Sequence, residues 1–352
     1  MKTRLFSGMQ PTGELHLGNY VGALRNWVNL LDDYDCIFCI VDYHAITVPY
    51  DKEIIKERTI NAAIDYIAGG LDPEKCSIFV QSHVPQHTEL SWVFNTVTPL
   101  GQLMRMTQFK SKTSQFADSA DDGEDYSDVD GRSSFLAQAG KVNSGLFTYP
   151  VLQAADILLY KAIYVPVGED QIQHVELTRD VARRFNHRFG AKVFPECKPL
   201  LSEASRVMGL DAKNKMSKSI GNHIPMGMSR KDMIAKITKE AVSDSRRVKL
   251  EDPGVPEECN VYAWHQIFSS EEDQKWCHEG CTTAGIGCFK CKKKVAQNIN
   301  DSLAAYREKR EELIKRPDYL NDILRDGANR CREIAEATME EVRETLGLTT
   351  RF

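Results

Sequence analysis

No stretch of this sequence approaches the run of about 18 apolar residues that a membrane helix requires. The opening Met1-Lys2-Thr3-Arg4 passes into Leu5-Phe6 without the apolar segment of a secretion signal, so a cytoplasmic protein is expected. The Walker-type phosphate loop GxxxxGK[ST] is also missing, which disfavours an ordinary P-loop ATPase. No internal repeat is visible. Residues 117–130 contain no base at all, against seven acids: Asp118, Asp121, Asp122, Glu124, Asp125, Asp128 and Asp130. That segment dominates the net charge of −5, and without it the chain would stand at +2. A local basic surface for nucleic acid therefore stays open.

What is present describes a globular chain. Its 352 residues suffice for two domains, or one large domain with a helical appendage, and 27% charged with 42% hydrophobic residues is ordinary for such a protein. The ten cysteines, in a reducing compartment, are expected as thiols. Half of them (Cys259, Cys277, Cys281, Cys288 and Cys291) fall within 33 residues.

The apolar pattern alternates strand and helix. Residues 5–8 read as a short strand, 19–31 as a helix, and the apolar run 36–41 as a strand buried on both faces. A helix over 53–68 and a strand over 77–80 follow, then a helix over 149–160, a strand over 163–167 and a helix over 171–189. Residues 209–219 read as a loop, and from about 230 the character is helical, most clearly over 295–346. This predicts an α/β, Rossmann-like, doubly wound parallel sheet spanning residues 1–222, with an all-α region over 223–352. The polar stretch at about 113–143 reads as a surface insertion.

Two short motifs carry the chemistry. Near the start runs Ser7-Gly8-Met9-Gln10-Pro11-Thr12-Gly13-Glu14-Leu15-His16-Leu17-Gly18-Asn19-Tyr20, and about 200 residues later Lys215-Met216-Ser217-Lys218-Ser219. The glycines let backbone approach a nucleotide, the following helix offers N–H groups to anionic oxygens, and two lysines on a loop can follow charge developing on a departing phosphate. The pair resembles the HIGH-like and KMSKS elements of class I aminoacyl-tRNA synthetases, with Asn19 where the final His would stand. Further blocks are similar to the tryptophanyl branch: residues 41–47, Met106-Thr107-Gln108-Phe109-Lys110, residues 149–158 and residues 165–171.

The resemblance implies a ligase that joins L-tryptophan to tRNA(Trp) through an adenylate, using ATP with Mg²⁺, and working as a homodimer. A tyrosyl-type synthetase, a nucleotidylyltransferase of the same superfamily and an iron-sensing RNA-binding regulator derived from a synthetase are the alternatives. By motif, Gln10, Pro11, Thr12, Gly18, Asn19, Gly168, Glu169, Asp170, Val207, Lys215, Met216, Ser217, Lys218 and Ser219 would line the ATP site. Gln10, Lys112, Lys215 and Lys218 would act on the reacting phosphates. Asp156, on an otherwise apolar helical stretch, matches the acid that receives the indole N–H, with Tyr149, Gln153, Val165, Val167 and Gln171 completing the pocket. His44 beside Asp42 ends a buried strand and reads as structural before it reads as a general base. Asp42 and Asp170 are placed to hold substrate ammonium or ribose.

Cys259-x21-Cys281-x6-Cys288-x2-Cys291 offers four thiolates, a set that suits zinc or iron–sulfur alike, with inert free thiols as the other alternative. It resembles a four-cysteine motif that holds a 4Fe–4S cluster in a subset of bacterial tryptophanyl enzymes. Cys277 is left over. Lys290, Lys292, Lys293 and Lys294 adjoin the motif and suit RNA contact, and Cys36-x2-Cys39 reads as core strand.

Overall fold

Five short strands build one parallel sheet in a computed structural model that describes residues 2–106, 143–201 and 207–349. Lys112, residues 107–110 and nearly all of the acidic insertion lie outside the described residues. In chain order, β1 (Arg4–Met9) leads to a helical rod, α1, made of the segments Leu17–Asn19, Tyr20–Leu24 and Arg25–Leu30. Its middle segment is a π-turn, a feature that favours functional sites. Then come β2 (Asp35–Ile40), α2 (Lys52–Ala68), β3 (Cys76–Val80) and α3 (Gln86–Asn95). The second half of the sheet layer holds α4 (Ser144–Leu158), β4 (Tyr164–Val167), α5 (Ile172–Phe189) and β5 (Lys198–Leu201). The remaining long elements are helices: α6 (Arg230–Glu240), α7 (Asn260–Phe268), α8 (Glu271–Thr282), α9 (Cys288–Ser302), α10 (Ala304–Ile314) and α11 (Pro317–Leu346).

The strand order is β3-β2-β1-β4-β5, so the winding reverses between β1 and β4. A ligand crevice is expected outside the carboxyl ends of those two strands. The strands are apolar on both sides because both faces are covered. Leu5, Phe38, Ile40 and Ile78 pack under Leu24, Trp27 and Tyr66, whereas Phe6, Ile37, Cys39 and Phe79 pack under Val151, Ala154 and Tyr160. Cys36 and Cys39 are buried strand residues, as expected.

Three departures from the sequence reading have physical causes. Helix α4 starts five residues earlier than its periodicity suggested, because the Asn143 side chain caps it by accepting from the Leu146 N–H; Pro150 sits inside it. Strand β5 is a four-residue edge strand, Lys-Pro-Leu-Leu, too short and too broken by Pro199 for any apolar run to announce it. The last helix, α11, leaves its helical neighbours and lies against β3, where Gly327 is so close that a Cβ there would overlap the Ile78 backbone. Arg330 of α11 donates to the carbonyls of Pro73 and Cys76. The same helix grips α3: Arg343 makes a two-pronged contact with Glu89 at 2.8 Å, and Gln86 donates to Glu336 at 2.6 Å. Among the described residues, no helix is long and apolar enough to cross a membrane.

Candidate functional site

A cavity of about 360 Å³ opens at the switch point between β1 and β4. Its lining includes Phe6 to Gln10 from the end of β1, Asn19 and Gly22 from α1, and Val165 to Gly168 from the end of β4. All six residues expected around tryptophan (Asp156, Tyr149, Gln153, Val165, Val167 and Gln171) line it. Gln10, Asn19 and Gly168 of the expected nucleotide set line it too. The other members of that set, namely Pro11, Thr12, Gly18, Glu169, Asp170, Val207 and residues 215–219, lie outside this lining.

The two motifs nevertheless meet. The loop before α1 is tied to the chain beyond residue 219 by hydrogen bonds from the Leu17 N–H to the Ile224 carbonyl and from the Met226 N–H to the Leu15 carbonyl. A Cβ at Gly18 would sit 3.3 Å from the Met216 side chain, and the Lys218 ammonium is 3.4 Å from the Thr12 carbonyl. Asn222 shapes the lysine loop: its Oδ1 accepts from the Ser217 N–H, and its amide donates to Asp211 and to the Lys215 carbonyl. Asn19, which replaces the usual His, has a local function. His16 Nδ1 accepts from the Asn19 N–H while Asn19 Oδ1 accepts from the His16 N–H, a reciprocal cap that starts the helix. Burial, followed by the nearby charges of Lys218, His223 and Lys215, lowers the His16 pKa to about 4, which keeps Nδ1 an acceptor.

Below this loop, buried Asp65 of α2 accepts from the Leu15 N–H at 3.3 Å, from the Tyr306 hydroxyl at 2.7 Å and from Arg310 Nε at 3.0 Å. Helix α10 is thereby joined to the first motif.

Asp156 forms the floor of the cavity and is 1% exposed. Its Oδ1 receives Gln81 Nε2 and His87 Nδ1, each at 2.7 Å, and its Oδ2 faces His44 Nε2 at 2.7 Å. Burial alone would push this carboxyl up, but the hydrogen bonds and charges of His44 and His87 outweigh it and hold the pKa at about 2. The Tyr160 hydroxyl stands 2.7 Å from His87 Nε2, and burial pushes its own pKa well up. Tyr160 therefore stays a protonated phenol against His87 Nε2, while His87 Nδ1 faces Asp156. The Gln81 carbonyl oxygen accepts from the Tyr43 N–H, which turns its amide group toward the acid.

His87 and Gln81 escaped the sequence reading. His44 appeared there only as a strand-end histidine. The available signal was position: His44 and Gln81 follow the carboxyl ends of β2 and β3, beside the strand-end crevice. Asp42 corrects an expectation. Its Oδ1 accepts from the N–H groups of Tyr43 and Ser82, a clasp between the ends of β2 and β3, and it lines a different cavity.

The thiols converge elsewhere. Cys259, Cys281, Cys288 and Cys291 all line one small cavity of about 20 Å³ between α7, α8 and α9, and Cys277 lines it with them. A set of thiols facing one space fits a soft metal group. Cys277 is not a bystander: its sulfur is 3.3 Å from that of Cys291. The hydrogen bond from Cys291, ahead of the opposing effect of burial, lowers the Cys277 thiol to about 5 and raises that of Cys291. Of the adjacent lysines, Lys294 is paired with Asp273 at 2.9 Å and Lys290 lies 5.7 Å from the Trp276 ring centre.

Comparison with known proteins agrees with this geometry. The family described as tRNA synthetases class I (W and Y) matches residues 1–304. A tryptophan–tRNA ligase of Deinococcus radiodurans is 45% identical over 350 residues, covering 98% of both chains. One from Thermotoga maritima is 42% identical over 348 residues, covering 98% of this chain and 99% of that one. The crystal structure of tryptophanyl-tRNA synthetase from Campylobacter jejuni complexed with ADP and tryptophan superposes with a TM-score of 0.84 at 35% identity, covering 98% of this chain and all of that one. The chain belongs to the class I tRNA synthetase family of W and Y type, on its tryptophan–tRNA ligase branch.

Proposed function

We infer that this chain is a tryptophan–tRNA ligase, and the observation that carries the reading is an ionised acid at the floor of the switch-point cavity in a chain of that family. In the first step the tryptophan carboxylate attacks the α-phosphorus of ATP, the bond to the β-phosphate oxygen breaks, and pyrophosphate leaves. In the second the 2′-hydroxyl of the terminal adenosine of tRNA(Trp) attacks the activated carbonyl and AMP leaves.

Asp156 accepts the indole N–H. An apolar side chain of similar size would leave this buried carboxylate one partner short, which supports discrimination against phenylalanine. Tyr149, Gln153, Val165, Val167 and Gln171 enclose the ring. Gln10, Asn19 and Gly168 hold the reacting end, with Pro11, Thr12, Gly18, Glu169, Asp170, Val207 and residues 215–219 around the nucleotide. Lys215 and Lys218 neutralise charge as pyrophosphate forms, with Lys112 as a third phosphate-directed lysine. Mg²⁺ enters with ATP as part of the substrate.

Cys259, Cys281, Cys288 and Cys291 would hold a 4Fe–4S cluster, with zinc the alternative; a cluster there supplies a cross-link between helices. Residues 223–352 form the part that meets the tRNA anticodon, and the lysines beside the thiols favour that side. Trp92, 73% exposed on α3, suits cover by a second subunit in a homodimer. On this reading the tRNA-charging activity lies in the cytoplasm.

Amino-acid-dependent exchange of pyrophosphate into ATP, run with each of the twenty amino acids, tests the activity. Exchange with tryptophan alone is expected; exchange with tyrosine, or with none, overturns the reading. Iron analysis of protein purified without oxygen tests the cluster separately, with about four irons per chain expected for a cubane.

A further inference from the structure

At the wall of the thiol cavity lies a ligand set that the four-cysteine motif does not explain. His265 of α7, Cys277 of α8 and Cys291 of α9 bring Nε2 and two sulfurs to within 4.8 Å of one another. Each ligand comes from a different helix, and the histidine is fully buried. The Cys277–Cys291 separation is 3.3 Å, and His265 Nε2 stands 3.6 Å from the Cys291 sulfur. A single tetrahedral zinc with bonds of about 2.0–2.3 Å spaces its ligand atoms by roughly 3.3–3.8 Å. The nitrogen–sulfur distance matches one edge of such a tetrahedron; the two sulfurs sit at hydrogen-bond distance and would part by roughly 0.5 Å to reach the sulfur–sulfur edge, whereas a cubane takes its four thiolates on four separate irons.

The histidine is also prepared for a ligand. His265 Nδ1 is 2.7 Å from the Ser269 hydroxyl, which accepts from Asn298 at 2.8 Å, and Asn298 donates onward to Asp273 at 2.8 Å. In the tautomer whose Nδ1–H donates to that oxygen, the Nε2 lone pair faces the sulfurs, and Nε2 gives up its 3.4 Å contact with the Cys291 carbonyl. Such outer hydrogen bonds fix the tautomer and orientation of metal-bound histidines. Cys259, Cys281 and Cys288 line the same cavity and offer a fourth position.

We propose that His265, Cys277 and Cys291 form a binding site for one soft divalent cation of the zinc class, distinct from the four-cysteine set and sharing only Cys291 with it. Loading forms one metal–nitrogen and two metal–sulfur bonds and releases to solvent whatever protons the two thiols still hold, with a thiolate of the cavity or water as the fourth ligand. Because Cys291 serves both sets, occupation by this cation and by an iron–sulfur cluster exclude each other. The site stands whether or not the cluster forms.

The test uses full-length protein freed of metal under reducing, oxygen-free conditions and titrated with Co²⁺, whose visible bands report a tetrahedral thiolate site, followed by displacement with Zn²⁺. One cobalt per chain is expected. Cys277→Ser and His265→Gln should each weaken cobalt binding at least tenfold, while Cys277→Ser still reconstitutes with four irons. The double variant Cys259→Ser/Cys288→Ser should lose iron reconstitution yet keep one tetrahedral cobalt. Circular dichroism of each metal-free variant checks folding. X-ray absorption of the zinc-loaded parent gives a readout that needs no variant and should show an imidazole in the first shell. A sulfur-only shell, or cobalt affinity unchanged in both single variants, overturns the proposal. Failure of iron reconstitution in the parent alone would instead remove the cluster.

Discussion

Asp156→Asn isolates the charge of the cavity floor while keeping its shape. The carboxylate accepts from Gln81 and His87 on one oxygen and from His44 on the other, all at 2.7 Å and all buried. If the Asn oxygen takes the place facing Gln81 and His87, its NH₂ faces His44 Nε2. His44 must then move its proton to Nδ1 in order to accept. This rearrangement keeps the three partners but replaces charge-assisted bonds by neutral ones, at a cost of about 1–3 kcal/mol in stability.

The indole N–H fares worse, because it now meets a donor. Losing a hydrogen bond to a charged acceptor costs about 1.5–3 kcal/mol. The upper end corresponds to a drop of about 10²-fold in kcat/KM for tryptophan, measured by pyrophosphate exchange. Truncation to Ala is a poor probe of recognition, since three orphaned buried donors cost about 3–9 kcal/mol together, close to a typical domain's whole stability. A well-folded Asp156→Asn enzyme whose kcat/KM for tryptophan stays within about threefold of the parent would refute the assignment of this acid.

Further outcomes follow from other parts of the structure. Lys218→Ala and Lys215→Ala should each lower kcat of pyrophosphate exchange by about 10²-fold with little change in the KM for ATP; a rise in KM alone would make the loop a ground-state binding element. Gly327→Ala should destabilise the fold, by about 1–3 kcal/mol, in urea unfolding because the added Cβ meets the Ile78 backbone. The sign decides, since Gly→Ala in an open helix position would stabilise by about 1 kcal/mol. His16, with its pKa lowered from 6.5 to about 4, contributes fully above pH 6.5. Between those values the unfolded chain binds a proton that the folded chain refuses, so stability should fall as pH drops. The parent should lose more Tm from pH 7 to pH 5 than His16→Asn, and equal losses would remove this role.

Much of the site was legible because its residues are contiguous in sequence. The blocks at 7–20 and 165–171 carry the ends of β1 and β4, and with residues 149–158 they supply all the residues expected around tryptophan. What escaped was the ring of donors that holds Asp156. Gln81 and His87 are single polar residues that look like surface until the fold buries them beside the acid. The pairing of Cys277 with His265 was hidden for a related reason, since ligands on three separate helices leave no spacing signature. Helix α11 advertised an apolar face, but periodicity cannot name the partner of that face, which proved to be β3.

That docking sets a timetable for synthesis. Arg330 of α11 bonds the Cys76 carbonyl across 254 positions of chain. At about 5–20 residues per second a ribosome needs roughly 13–50 s to bridge that interval. Throughout it, the sheet edge at β3 waits uncovered on the nascent chain, with the α3 residues that Arg343 and Glu336 will clamp still unsecured. A message truncated before Pro317 would yield a protein holding both nucleotide motifs but with an open sheet, prey for proteases or holding chaperones. The last helix thus acts as a completion seal: only chains translated through it bring Arg343 onto Glu89 and so secure α3, which carries His87 against Asp156.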